Sequence, residues 1–121
     1  MSESIKVLYI DDEEVNLFIF KELLNEDYEI HTALSGEEGL RILETEKDIA
    51  HVISDYRMSP MSGLQFITKA REKHPNLKYF LLSGYTEDDT IRNALDKGLI
   101  DAYWAKPADF ELIHRALNPS S

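Results

Sequence analysis

The sequence predicts an α/β fold: a doubly wound, five-stranded parallel sheet with helices on both faces. Two observations predict it. Short apolar runs alternate with stretches of helical periodicity five times along the chain. Such regular alternation belongs to parallel sheets joined by right-handed helical crossovers. The chain is also short. Its 121 residues are fewer than the roughly 150 of an average domain, so one domain over residues 1–121 is expected. Residues 118–121 read as a frayed tail or the start of a linker.

Ile5 to Ile10 is the first strand, β-branched and too continuously apolar for a half-exposed edge. Leu17, Phe20 and Leu24 recur at helical spacing after it. Phe18 and Ile19 broaden that helix's apolar face, either as core or as a docking surface for a partner helix; core is the expectation, with Phe18 the more exposed of the two. Tyr28 to Ala33 alternates as a strand flanked by polar residues does. Ser35 opens the second helix, forming with Glu38 a capping-box pattern, and Leu40 and Leu43 are its buried face. Ala50 to Ser54 is the third strand and ends at Asp55. After a loop rich in Ser, Pro and Gly, Leu64, Ile67 and Ala70 mark the third helix, which Pro75 closes. Lys78 to Ser83 is the fourth strand. Ile91, Ala94 and Leu95 carry the fourth helix; the acidic run Glu87-Asp88-Asp89 caps its start, and Gly98 stands at its C-terminal cap. Ile100 to Ala105 is the fifth strand, interrupted by Asp101. Phe110, Ile113 and Leu117 carry the last helix.

Composition excludes several function classes. Cysteine is absent, which removes disulfide frameworks, thiolate zinc sites and thiol nucleophiles. The net charge is −10 and the isoelectric point about 4.7, a surface that repels nucleic-acid phosphates and anionic lipid. No apolar run approaches the roughly 18 residues of a membrane span, and the first residues lack the pattern of a signal peptide. A cytoplasmic protein that binds neither nucleic acid directly nor membrane is the expectation. The four histidines, His31, His51, His74 and His114, show no metal-ligand spacing.

In parallel α/β sheets, ligands bind beyond the carboxyl ends of the strands. The first strand delivers Asp11-Asp12 there, the third Asp55, the fourth Ser83 and the fifth Lys106-Pro107. One strand-end Asp is ordinarily a solvated loop residue. Three carboxylates converging on one edge repel each other unless a cation sits among them. Oxygen ligands without His or Cys suit Mg²⁺ or Mn²⁺ rather than zinc. A carboxylate can also act as a nucleophile and form an acyl phosphate. Lys106 and Ser83 then supply a point charge and a hydroxyl to the phosphoryl oxygens in transit.

Four segments together carry a family resemblance: Val7-Leu8-Tyr9-Ile10-Asp11-Asp12-Glu13-Glu14, Ile53-Ser54-Asp55-Tyr56-Arg57-Met58, Leu81-Leu82-Ser83-Gly84-Tyr85 and Tyr103-Trp104-Ala105-Lys106-Pro107. Asp55 follows Asp12 by 43 residues, Ser83 follows Asp55 by 28, and Lys106 follows Ser83 by 23. The chain resembles the receiver domain of response regulators, the phosphoacceptor half of bacterial two-component signalling. The resemblance implies a flavodoxin-like sheet of strand order 2-1-3-4-5. It implies that Asp55 is the phosphoacceptor and that Lys106 is the active-site lysine. Asp12 would be a direct metal ligand, Asp11 one acting largely through water, and the backbone carbonyl of Arg57 the remaining protein ligand, with Asp55, for Mg²⁺ (or Mn²⁺). Ser83 and Tyr103 would be the switch residues, Lys106–Pro107 a cis peptide, and Arg57 and Tyr85 the side chains flanking the path of the dephosphorylating water. Two departures from the family pattern stand out. Ser59 occupies the place after Met58 where proline is usual, with Pro60 one place later, which predicts a changed loop path around an intact site. Ala108 follows Lys106-Pro107 where many DNA-binding-type regulators carry Phe.

The resemblance implies a phosphorylation-activated switch, regulatory rather than enzymatic beyond its own phosphorylation and dephosphorylation. A sensor histidine kinase or histidine phosphotransfer protein would donate the phosphoryl group. An output domain or partner protein would read the surface formed by the fourth helix, fifth strand and fifth helix, in a monomer or a phosphorylation-dependent dimer. One rival is a metal-dependent phosphohydrolase with an aspartyl nucleophile, but Arg57 stands where its general acid is needed. The other is an interaction module that has lost phosphorylation, which the complete acid, serine and lysine set disfavours.

Overall fold

A computed structural model describes residues 4–84 and 88–118. Strands and helices alternate without exception: β1 (Ile5–Ile10), α1 (Glu14–Leu24), β2 (Tyr28–Ala33), α2 (Gly36–Thr45), β3 (Ile49–Asp55), α3 (Gly63–Lys73), β4 (Lys78–Ser83), α4 (Asp89–Asp96), β5 (Ala102–Ala105) and α5 (Phe110–Leu117). The strands form one sheet in the order β2-β1-β3-β4-β5, every neighbouring pair parallel. This is a flavodoxin-like sheet, in the strand order that the resemblance implies. The chain order reverses at β1, so β1 and β3 meet at the topological switch point, where a crevice opens beyond their carboxyl ends.

Position in the sheet explains each strand's sequence. Central strands are covered on both faces and need apolar residues throughout; Val7, Leu8, Ile10, Val52 and Ile53 are all fully buried. β2 lies at an edge, and there Tyr28 and Ile30 are buried while Glu29 is exposed. β3 is one residue longer at each end than the apolar run suggests. β5 starts at Ala102 rather than Ile100. The reason is Asp101, whose carboxylate accepts the Tyr79 N–H at 2.8 Å and an Arg71 N–H at 3.1 Å. The Asp101 N–H still bonds the Tyr79 carbonyl at 2.7 Å, but its side chain takes a backbone donor of β4, and the strand register starts at Ala102.

The core is two layers, one on each face. α2, α3 and α4 cover one with Leu43, Phe66, Ile67, Ala70, Ile91 and Ala94 among the buried residues. α1 and α5 cover the other with Leu17, Phe20, Leu24, Ile113 and Leu117. The expectation that Phe18 and Ile19 belong to the core is corrected: they are 65% and 43% exposed. A helix advances about 100° per residue, and the stripe through Leu17, Phe20 and Leu24 already fills the space over the sheet. Phe18 and Ile19 are turned off it, alongside the exposed Val15 and Leu23. Leu40, Leu95 and Phe110 are half-buried rather than core.

The helix starts are held by side chains. Ser35 accepts the Glu38 N–H, but the Glu38 carboxylate accepts from Leu34 N at 2.6 Å rather than from Ser35, so the expected box reaches one residue further out. A complete capping box stands instead at Ser62 and Gln65 on α3. Asp88 caps α4 by accepting the Ile91 N–H at 2.9 Å; Glu87 lies outside the described residues. Gly98 follows α4 with φ +75°, the left-handed conformation that suits glycine after a helix.

Candidate functional site

β1, β3, β4 and β5 run in parallel, so Asp11, Asp12, Asp55, Ser83 and Lys106 emerge at one edge of the sheet. Oxygens of Asp11, Asp12 and Asp55 lie within 4.8 Å of one another. Lys106 Nζ lies 3.0 Å from Asp55 Oδ1 and 3.5 Å from Asp11 Oδ2. Asp11 and Asp55 are buried, whereas Asp12 is exposed. Ser83 is fully buried, and its carbonyl accepts the Lys106 N–H at 2.8 Å. That bond ties the end of β5 to the end of β4 and fixes where the lysine stem begins.

The two neighbouring acids are not equivalent. Asp11 Oδ2 accepts from the Tyr9 hydroxyl at 2.8 Å and from Asn16 Nδ2 at 3.1 Å, and Oδ1 accepts the Glu13 N–H at 3.0 Å. Its carboxylate is held by donors on both oxygens. Tyr9 and Asn16 are site residues that the sequence reading missed. Strand alternation puts Tyr9 on the same side as Asp11, two places on, and Asn16 sits in the first turn of α1. A hydroxyl in a central apolar strand was the available signal. The Tyr9 ring stacks on Phe20 of α1 at 4.2 Å, so this helix packs against the residue that holds Asp11.

Asp55 is set by its backbone as well. Its carbonyl accepts from Ser54 Oγ at 2.9 Å. Gly63 lies so close to that carbonyl oxygen that a Cβ there would collide with it, and the Gly63 N–H bonds the Tyr56 carbonyl at 2.9 Å. The loop between β3 and α3 therefore closes only over a residue without a side chain. Within this loop the Ser59–Pro60 bond is cis, and so is Lys106–Pro107 beyond β5.

Burial raises the pKa of Asp55 above the ordinary carboxylate value; Asp11 and Asp12 push the same way, and Lys106 opposes them. For Lys106, burial pulls the ammonium down, but Asp55 and Asp11 outweigh it, so its pKa is raised. The lysine is thus charged, and among the described residues its ammonium lies within 3.5 Å of two of the three acids. This donor set fits a hard divalent cation, which prefers carboxylate and carbonyl oxygen.

Of the other predicted residues, Tyr103 on β5 is half-buried and in register with Leu81. The Arg57 side chain is exposed, its guanidinium 5.8 Å from the Tyr56 ring centre. Tyr85 lies outside the described residues. His31, whose sequence spacing shows no metal-ligand pattern, has carboxylate neighbours: its Nε2 is 2.7 Å from Glu29 and 3.8 Å from Glu46. The fold brings Glu46 there from the end of α2, a proximity that spacing along the chain does not show. Lys6 Nζ lies 4.0 Å from Glu29 and 3.9 Å from Glu46 and already supplies positive charge to this group.

A family profile, the response regulator receiver domain, matches residues 7–118. The sensor kinase CckA of Brucella abortus is 38% identical over 97 residues, 77% of this chain and 10% of that protein. A response regulator receiver domain protein from Clostridium thermocellum shares the fold with a TM-score of 0.86 and 33% identity, over 94% of this chain and 91% of that one. The response regulator TrrA from Thermotoga maritima, solved in complex with Mg²⁺–BeF, has a TM-score of 0.78 and 32% identity, over 93% and 95% of the two chains. The chain spans only a tenth to a quarter of the length of the first curated relatives it matches. Within that span the profile leaves out little of the sequence, and the chain belongs to the response regulator receiver domain family of two-component systems.

Proposed function

We propose that the chain is a phosphorylation-activated switch whose phosphoacceptor is Asp55. The observation that carries this reading is the buried Asp55 carboxylate at the carboxyl end of β3, with Lys106 Nζ 3.0 Å away and two further acids in reach. The donor is a phosphohistidine on a sensor histidine kinase or histidine phosphotransfer protein. One Asp55 oxygen attacks phosphorus in line, the P–N bond to the donor imidazole breaks, and a P–O bond to Asp55 forms. Lys106 meets the charge on the phosphoryl oxygens, a term worth more in a half-buried site than in water. Mg²⁺, when bound, supplies further charge neutralisation. Asp12, Asp55 and the Arg57 backbone carbonyl would hold it directly. The donors already engaged on both Asp11 oxygens support a role for Asp11 through water, and the exposure of Asp12 supports its role as direct ligand. Attack of water on phosphorus later breaks the acyl P–O bond, releases inorganic phosphate and restores the Asp55 carboxylate.

The switch follows from differential contact. A phosphoryl group shifts a two-state equilibrium only if it interacts differently with the two states. Ser83, at the end of β4, moves its hydroxyl toward the phosphoryl group, and Tyr103 turns inward over β5. The face formed by α4, β5 and α5 then changes and is read by an output domain or partner. A kinase and several transcriptional regulators among the relatives support placement in such a signalling path.

The test is direct phosphorylation. Incubation with Mg²⁺ and acetyl phosphate is expected to label wild type, and Asp55→Asn is expected to abolish the label. Undiminished labelling of that variant would overturn the assignment. Sustained turnover of p-nitrophenyl phosphate would favour the phosphohydrolase reading instead.

A further inference from the structure

The two oxygens of Asp11 are engaged unequally. Oδ2 accepts from the Tyr9 hydroxyl at 2.8 Å and from Asn16 Nδ2 at 3.1 Å. A carboxylate oxygen offers about two lone-pair sites, so these donors fill Oδ2. Lys106 Nζ approaches it only to 3.5 Å and keeps the shorter contact, 3.0 Å, with Asp55. That approach also shows that Oδ2 faces the cluster rather than the back of the strand. Among the described residues, Oδ1 accepts one donor, the Glu13 N–H at 3.0 Å.

Of the two donors on Oδ2, Tyr9 is the more firmly held. It sits in a central strand, 3% exposed. Its ring stacks on Phe20 at 4.2 Å with the planes 17° apart, and Phe20 is itself 2% exposed. A hydroxyl on a ring packed in this way has little freedom to leave the carboxylate. Asn16 lies partly exposed at the start of α1 and divides its amide between Asp11 and Glu13 Oε1, the latter at 3.1 Å.

A filled Oδ2 matters differently to different cations. Ca²⁺ takes about six to eight oxygen ligands and accepts bidentate carboxylates, whereas Mg²⁺ keeps near-octahedral geometry and several of its waters. With Oδ2 closed, Asp11 cannot chelate through both oxygens; Oδ1 is left, which suffices for contact through a water. We propose that Tyr9 is a positioning residue that sets metal specificity: its hydroxyl closes Asp11 Oδ2 to direct coordination and so tilts the strand-edge site toward Mg²⁺ and against Ca²⁺. The inference rests on the reading of that edge as a divalent-cation site.

The test is the ratio of Mg²⁺ and Ca²⁺ dissociation constants, read from amide chemical shifts at the ends of β1 and β3 in the whole chain at constant ionic strength. Tyr9→Phe removes the hydroxyl and keeps a ring to stack on Phe20. It is expected to raise Ca²⁺ affinity relative to Mg²⁺ about tenfold, the scale of one hydrogen bond to a charged group. A merely structural role would move both constants by the same factor, so an unchanged ratio, or one displaced toward Mg²⁺, overturns the proposal. If Tyr9→Phe does not fold, Asn16→Ala opens the same oxygen by removing its other donor. The same displacement toward Ca²⁺ is then expected, and an unchanged ratio is again fatal. Asp12→Ala separates this inference from the reading beneath it and is expected to lose binding of both ions at the strand edge. Were Asp12→Ala to bind both as wild type does, the cation site and the role of Tyr9 would fall together. Binding lost in Asp12→Ala but an unchanged ratio in Tyr9→Phe would remove the role of Tyr9 alone.

Discussion

Asp11 and Asp12 are adjacent in sequence and opposite in circumstance. One carboxylate is buried and held by a tyrosine, an asparagine and a backbone N–H; the other faces solvent. The sequence placed both at a strand end, because a parallel strand can deliver its last residues nowhere else. It could not show which would be saturated with donors, since that depends on Tyr9 and on the first turn of α1. Arg57 poses the same problem of side-chain direction. It lies two residues beyond Asp55, and its exposed side chain leans toward the Tyr56 ring. Neither Arg57 nor Tyr85 offers a carboxylate or carboxamide to orient an attacking water, and both are bulky. Arg57→Asn and Tyr85→Ala are therefore expected to lose phosphate severalfold faster than wild type after labelling with acetyl phosphate. Phosphate release at the wild-type rate from both variants would place control of the lifetime elsewhere.

At the scale of the element, α1 shows how far periodicity reaches. Leu17, Phe20 and Leu24 were legible as the buried stripe because helical spacing alone defines it. Phe18 and Ile19 misled because a run of apolar residues does not say how wide the receiving groove is. The structure gives α1 a narrow seat over β1 and β2 and leaves an apolar row outside. The two classes of residue should therefore respond differently to truncation. Leu17→Ala is expected to cost about 2–5 kcal/mol, the range for emptying a packed leucine site. Phe18→Ser should stay within about 0.5 kcal/mol of wild type, as exposed positions do. Urea unfolding of the two variants checks this, and a large loss in Phe18→Ser would mean that the exposed row packs in solution. β5 was misjudged for a related reason. Apolar Ile100 extends the pattern, but the Asp101 carboxylate claims the Tyr79 N–H, and one polar side chain moved the strand boundary.

Across the whole molecule, the charge balance and the site pull in one direction. The chain carries a net charge of −10, and three of its acids meet at one strand edge against a single lysine. Burial of Asp11 and Asp55 weakens solvent screening of their repulsion, so the fold holds unfavourable charge there. A divalent cation in that cluster binds the folded chain and not the unfolded one, in which the three acids are far apart. It must then raise stability by mass action, by about 2.7 kcal/mol at a hundred times its dissociation constant. General screening of the acidic surface raises stability too, so salt alone does not identify the site. Asp12→Ala separates the effects. It removes one acid and leaves the buried pair and Lys106 in place, and its metal-free melting temperature is expected to equal or exceed that of wild type. Millimolar Mg²⁺ is expected to raise the melting temperature of wild type beyond the effect of NaCl at equal ionic strength, and to give Asp12→Ala no such excess. An equal Mg²⁺ response in both proteins would mean that the ion acts on the acidic surface at large and not at the strand-edge cluster.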